Sequence, residues 1–84
     1  MSTLMNAKIV NVHLTDTHVY AHFDDGRVVG CPIVWFKNLR RGTVEQRQKF
    51  TILADGESVH WPLLDEDLSA EGFFTFVPKG IVVL

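Results

Sequence analysis

The sequence predicts a small α+β fold in which an antiparallel sheet, built from an N-terminal three-stranded meander plus two later strands, packs with two or three short helices. Short runs of alternating apolar and polar residues predict the strands. An Asp-Gly pair at residues 25–26 predicts a tight turn between two of them. Apolar residues at the three- to four-residue spacing of a helix occur only in short segments, so the predicted helices are short. The 84 residues suffice for a single domain, residues 1–84, and 46% of them are hydrophobic, which is enough for a core.

The N-terminal meander is predicted from residues 7–14, 18–23 and 27–31, each of which alternates as a half-buried strand does. In the first run, strict alternation places Ile9 and Val12 on opposite faces. In the second run, Val19, Ala21 and Phe23 form one apolar face. The core is expected to be rich in aromatic side chains: Phe23, Trp35, Phe36, Phe50, Trp61, Phe73 and Phe74.

Two short helices are predicted after Pro32, which ends the third strand because proline cannot donate to a central ladder. Residues 34–39 have helical spacing, and Gly42 is a natural stop after them. Thr43 and Gln46 match a capping box, so a second short helix is expected over about residues 44–48.

The C-terminal half is predicted to hold two more strands, residues 50–54 and 58–61, joined by a turn at 55–57. Residues 63–68 are expected to form an acidic loop with apolar anchors. Ser69 or Asp67 would then cap a final helical turn near residues 69–71. Residues 74–84 are β-prone and are expected to form either an edge strand or a tail.

Charge is unevenly distributed along a chain whose net charge is −2. Residues 55–71 contain six acids and no Lys or Arg, whereas five of the eight basic residues lie between positions 37 and 49. A general nucleic-acid coat protein would be strongly basic, so that class is not expected. A nucleic-acid surface would have to use Arg40, Arg41, Arg47 and Lys49, and we favour a solvated basic face for these residues.

The cellular compartment is inferred by elimination. The single cysteine, Cys31, cannot form an internal disulfide, and its apolar neighbours predict a buried, inert thiol. No signal peptide is evident, and no segment approaches the roughly 20 apolar residues that cross a bilayer. We therefore expect a cytoplasmic protein that does not associate with membranes.

Two clusters contain residue types that bind metals. His18, Tyr20 and His22 share one strand face near His13 on the preceding strand, but we favour a solvent-facing polar face here. Four carboxylates, Asp65, Glu66, Asp67 and Glu71, lie within seven residues. They lack the alternating spacing of a calcium loop, so we favour a structural role and expect no cofactor.

Catalysis is not expected. The chain has no Gly-x-Ser-x-Gly elbow and no glycine-rich phosphate loop, and its only thiol is predicted to be buried. The remaining enzymatic alternative, which we do not favour, is a metal-dependent enzyme centred on His60, Asp65 and Asp67.

A long specific block, His-Trp-Pro-Leu-Leu-Asp-Glu-Asp-Leu-Ser-Ala-Glu-Gly at residues 60–72, follows shorter segments at residues 23–27, 32–36, Leu39 and 43–47. Together they resemble the bacterial family known as domain of unknown function 2442, over about residues 9–73, with residues 74–84 as an extension. The resemblance implies a small α+β domain, found alone or joined to a helix-turn-helix region. It also implies a genomic position beside another small protein, similar to toxin–antitoxin pairs. No catalytic residue is established for the family, so none is carried over.

These observations favour a non-enzymatic interaction or regulatory module, an antitoxin-like partner of another small protein. The alternative is a nucleic-acid-associated accessory protein that uses the basic segment 37–49. The expected partner surface consists of His60, Glu66, Asp67 and Glu71. Trp61, Leu64 and Leu68 would anchor this block to the core, leaving Glu66 or His60 pointing outward. A homodimer is a further expectation, because a small sheet leaves an edge strand to cover.

Overall fold

A computed structural model of the chain describes residues 7–75, which form two three-stranded antiparallel sheets and three short helices. The first sheet has the order β1 (Ile9–Leu14), β2 (His18–Phe23), β3 (Val28–Pro32). A 3₁₀ turn at Ile33–Trp35 leads to α1 (Lys37–Arg41) and α2 (Val44–Arg47). The second sheet has the order β4 (Thr51–Leu53), β5 (Ser58–Trp61), β6 (Glu66–Ser69), with a 3₁₀ turn at Ala54–Gly56, and α3 (Ala70–Thr75) follows. The α+β class and the N-terminal meander are confirmed.

Strand β1 departs from the predicted alternation. Ile9 pairs with Phe23 and Asn11 with His22, so a β-bulge lies between Ile9 and Asn11. The extra residue returns Val12 to the face that Ile9 occupies, and both side chains are buried. Placing them on opposite faces was wrong, because a bulge breaks the two-residue period on which that prediction depended.

Strand β6 replaces much of the predicted acidic loop. Leu64 N–H donates to Trp61 C=O at 3.1 Å, and Asp65 has a φ of 53°, so the chain reverses within four residues after β5. Glu66 and Asp67 then pair with Trp61 and His60. The later strands form a second sheet with β6 rather than extending the meander. Only one apolar residue, Leu68, lies within β6, so its alternation was too weak to recognise.

The helix predicted over residues 34–39 is divided into the 3₁₀ turn and α1, because Phe36 between them has an extended backbone. Side-chain caps begin α2 and α3. Thr43 Oγ1 accepts from the Gln46 N–H at 3.1 Å, and Gln46 Oε1 accepts from the Thr43 N–H at 2.9 Å, which confirms the capping box. Ser69, rather than Asp67, caps α3, since its Oγ accepts from the Gly72 N–H at 2.9 Å. Gly42 ends α1 with a φ of −78°, so the position does not require the left-handed conformation.

A single cluster of buried residues joins the two sheets, and its largest fully buried side chains are Trp61, Leu39, Val19 and Val59. Of the seven predicted core aromatics, Phe23, Phe36, Trp61 and Phe73 are buried, and Trp35, Phe50 and Phe74 are partly buried against them. Cys31 is buried as predicted, and burial raises the pKa of its thiol.

Beyond residue 75, the predicted edge strand or tail lies outside the described residues. No helix within residues 7–75 has the length and apolar character needed to span a membrane.

Candidate functional site

Trp61 anchors the distinctive block to the rest of the fold. Its indole is fully buried, and Nε1–H donates to the Arg47 carbonyl at 2.8 Å, which ties β5 to the end of α2. Leu64 and Leu68 are partly buried against the same core. The Leu64 side chain packs directly against Gly42: a Cβ atom at position 42 would lie only 2.7 Å from Leu64 Cδ1. The block therefore closes the core, as expected from its apolar anchors.

Glu66 is turned towards the protein rather than outward. It pairs with Trp61 in the β5–β6 register, so its side chain lies on the Trp61 face of the sheet and is half-buried. Burial raises the pKa of this carboxyl, and hydrogen bonds from the backbone N–H groups of Asn38 and Asp67 oppose that rise. The Asn38 side chain also donates to the Asp65 carbonyl at 3.0 Å. These contacts attach the β5–β6 turn to the start of α1.

His60 and Asp67 face each other across β5 and β6 on the opposite, outer face. His60 Nδ1 lies 2.5 Å from Asp67 Oδ1, and the Asp67 side chain is 66% exposed. An Nδ1–H that donates to this carboxylate leaves Nε2 of a neutral ring as an acceptor. Within residues 7–75 no hydroxyl or thiol is hydrogen-bonded to His60, although Thr51 is its neighbour in the β4–β5 register.

An apolar pocket with an acidic rim opens beside β6 on the Glu66 side. Its volume is about 230 Å³. Phe36, Leu68 and Phe73 supply its apolar walls, and Glu66 and Asp67 supply the acids. The remaining lining residues are Ser69 and Gly72. An apolar hollow with a few charged groups at its edge is a typical binding feature.

Two of the four predicted partner-surface residues, Glu66 and Asp67, line this pocket. His60 does not line it, but it is hydrogen-bonded to Asp67 on the outer face. Glu71 does not join them, because it lines a different hollow with Lys8 and Glu57. Sequence reasoning missed Phe36 and Phe73 as site residues: both have the hydrophobic spacing of core residues, and Phe36 lies thirty positions before Glu66, so no local signal connects them.

The predicted basic surface is divided between structural and exposed residues. The Arg47 guanidinium donates to the Leu39 carbonyl at 2.9 Å and to the Arg40 carbonyl at 3.0 Å, satisfying acceptors at the end of α1. Arg40, Arg41 and Lys49 are exposed. Arg47 therefore has a structural role, and the other three predicted nucleic-acid-surface residues remain exposed, as does Lys37.

No described set of side chains forms a complete protein metal site. Across residues 7–75, His, Cys, Asp and Glu side chains do not gather in groups of three or more that could hold a metal ion. This includes the acidic run at 65–71 and the set His60, Asp65 and Asp67. On the first sheet, His13 and His22 are brought together, whereas His18 is hydrogen-bonded to Thr17.

Comparisons with known proteins agree with this architecture. No curated protein matches the sequence. A crystal structure of a protein of unknown function from Rhodospirillum rubrum ATCC 11170 superposes with a TM-score of 0.75 at 21% identity, over 87% of this chain and 90% of that chain. At that identity the likeness concerns the fold. The family model described as protein of unknown function (DUF2442) matches residues 9–79, which extends past Phe73. Since that match spans most of the 84 residues, the chain belongs to the DUF2442 family.

Proposed function

We propose that this chain is a non-enzymatic interaction module, an antitoxin-like or regulatory partner of another small protein encoded beside it. The observation that carries the proposal is the apolar pocket of Phe36, Leu68 and Phe73, which two acidic residues, Glu66 and Asp67, also line. The pocket is a place to bury an apolar side chain, and the two acids make its surroundings negatively charged.

The chemistry of the pocket specifies what the partner should present. A hollow of about 230 Å³ accommodates one large aliphatic or aromatic side chain. Burying such a group contributes about 1.5–3 kcal/mol. The carboxylates favour a Lys or Arg beside that anchor, and such charge pairs contribute more to specificity and association rate than to affinity. We therefore expect an apolar anchor flanked by basic residues on the partner.

The roles of the surrounding residues support a binding role for this surface. Trp61, Leu64 and Ser69 are held in structural contacts, whereas Asp67 is largely exposed next to the pocket. His60 holds the Asp67 carboxylate on the outer face of β6, so this charge is fixed in position before a partner arrives. A homodimer stays a prediction, and the acidic rims of two copies would repel each other if these pockets met.

Affinity purification from the organism that carries the gene tests the proposal. The tagged chain is produced from its own locus, and the proteins that elute with it are identified by mass spectrometry. Asp67→Lys is compared with Glu45→Lys, which makes the same charge change at an exposed position on α2. Circular dichroism checks that both variants fold.

The wild-type chain and Glu45→Lys should both retain the product of the neighbouring gene, whereas Asp67→Lys should retain at least about tenfold less, the equivalent of about 1.4 kcal/mol. If the wild-type chain elutes without that product while the neighbouring gene is expressed, the proposal of a neighbouring partner is wrong. Equal retention by the two variants would show that the partner binds elsewhere.

A further inference from the structure

The outer face of the first sheet carries a row of four rings that the proposed partner surface does not use. His18 lies 5.8 Å from Tyr20, Tyr20 lies 4.8 Å from His13, and His13 lies 4.9 Å from His22, measured between ring centroids. His13 and Tyr20 are directly opposite in the β1–β2 register. His18, Tyr20 and His13 stack face to face, whereas the His13 and His22 rings are tilted by 48° and meet at their edges, which carry the imidazole nitrogens.

Two of these imidazoles point nitrogen to nitrogen. His13 Nδ1 lies 2.7 Å from His22 Nε2, so one proton is held between them. In the ring that donates, moving the N–H to its other nitrogen frees the nitrogen in the gap, and the accepting ring already has its gap nitrogen free. A cation can then enter the gap without net proton loss, because each ring keeps its one N–H.

We propose that His13 and His22 form a two-imidazole site for a divalent transition-metal ion with tetragonal preference, Cu²⁺ or Ni²⁺. Metal–nitrogen bonds of about 2.05 Å place neighbouring ligands about 2.9 Å apart in a square-planar site. The same bonds place them about 3.4 Å apart in a tetrahedral site. From the hydrogen-bonded 2.7 Å, the two rings must move less to reach the square-planar spacing than the tetrahedral one, and nitrogen ligands bind Cu²⁺ more tightly than Ni²⁺ or Zn²⁺.

The sheet holds this pair in place. Tyr20 stacks on His13 with an angle of 16° between the rings. The Tyr20 ring in turn covers Gly30 on β3, where a Cβ would lie 2.5 Å from its Cε1. Ligands fixed by their neighbours lose less freedom when the metal binds.

The protein supplies two ligands, and water completes the coordination. Within residues 7–75 no third His, Cys, Asp or Glu joins the pair to make a group that could hold a metal. His18 lies at the other end of the row, where its Nδ1 is 2.8 Å from Thr17 Oγ1. The site is therefore open, with positions that a small anionic or nitrogenous ligand could occupy.

Titration of the full, tag-free chain with copper sulfate tests the site. Binding is followed near neutral pH by visible absorption and by electron paramagnetic resonance, and is repeated with nickel and zinc salts. The variants are His13→Gln and His22→Gln, with His18→Gln and His60→Gln as controls. The resonance spectrum also counts the coupled nitrogens in the wild-type chain, so one readout does not depend on any variant.

We expect one Cu²⁺ with two coupled imidazole nitrogens, and binding in the order Cu²⁺, Ni²⁺, Zn²⁺. Each of His13→Gln and His22→Gln should weaken Cu²⁺ binding by at least about tenfold, since loss of only a group supporting a metal ligand weakens affinity about ten- to a hundredfold. The control variants should bind as the wild type does. Tighter binding of Zn²⁺ than of Cu²⁺, a single coupled nitrogen, or equal losses in His18→Gln would each overturn the proposal.

Discussion

Arg47 shows how a residue that resembles a surface cation can be part of the framework. Its guanidinium donates to two carbonyls of α1, and its own carbonyl accepts from Trp61. Basic clustering in the sequence gave no sign of this role, because the acceptors are main-chain atoms of another helix. Hydrogen bonds of charged donors contribute about 1.5–3 kcal/mol when intact.

Arg47→Gln should therefore lower the free energy of unfolding by about 1.5–3 kcal/mol, since it removes the charged donor to both carbonyls. Arg41→Gln is the matched control: Arg41 is exposed, and surface substitutions usually stay within about 0.5 kcal/mol. Urea denaturation followed by tryptophan fluorescence measures both. Similar values for the two variants would show that the Arg47 contacts are not stabilising.

Glu66 makes stability depend on pH. Burial raises the pKa of its carboxyl in the folded chain above the value in the unfolded chain, so the folded state binds this proton more tightly. The resulting stabilisation is present at pH values below the unfolded pKa and is lost as the pH rises through the folded pKa. Glu66→Gln, which carries no charge at any pH, should therefore raise Tm relative to wild type at neutral pH, with little difference at acidic pH.

Thermal unfolding across mildly acidic to neutral pH measures this effect, with Glu45→Gln as the exposed control. The control should show no gain in Tm that grows with pH. A Glu66→Gln difference that is the same at every pH, or a loss of stability that grows with pH, would contradict the role of burial at this carboxyl.

At the scale of elements, the meander, the capping box and β5 were predictable because each depends on the pattern of residues that are adjacent in the sequence. The bulge in β1 was not, because one inserted residue breaks the two-residue period, and β6 was not, because it contains a single apolar residue, Leu68. The role of Gly56, in the turn between β4 and β5, was not predictable either. Gly56 has a φ of +97°, and a Cβ there would lie 2.7 Å from the Ile9 carbonyl oxygen and 2.9 Å from the Ile9 nitrogen. The turn therefore approaches the backbone of β1 closely.

Gly56→Ala should destabilise the fold more than Gly26→Ala. Both positions have left-handed backbones, which costs an alanine about 1–2 kcal/mol. A Cβ at Gly26 would have no atom within 4 Å. A Cβ at Gly56 would clash with main-chain atoms of Ile9, which cannot move away as a flexible side chain can. Overpacking adds about 1–3 kcal/mol, so the gap between the two variants should be at least about 1 kcal/mol in chemical denaturation. Equal costs would show that β1 is not packed closely on this turn.

At the scale of the whole molecule, two small sheets share one core, and the acidic block lies at an edge strand of the second sheet. The sequence predicted the class, most of the core and the structural role of Trp61. The pocket could not be predicted, because Phe36 lies more than thirty positions before Leu68 and Phe73, and all three residues are typical of core positions. The charge pattern identified the acidic residues, but it could not show that Glu66 and Asp67 line the pocket whereas Glu71 lines a different hollow.

The central claim is that the pocket beside β6 receives the partner. Amide chemical-shift mapping of the ¹⁵N-labelled full chain, titrated with the product of the neighbouring gene, tests it most directly. The largest shifts should cluster on Phe36, on Asp67 to Ser69, and on Gly72 and Phe73, and they should be lost in Asp67→Lys but kept in Glu45→Lys. Shifts confined to Arg40, Arg41 and Lys49, or to the histidine face of the first sheet, would contradict it.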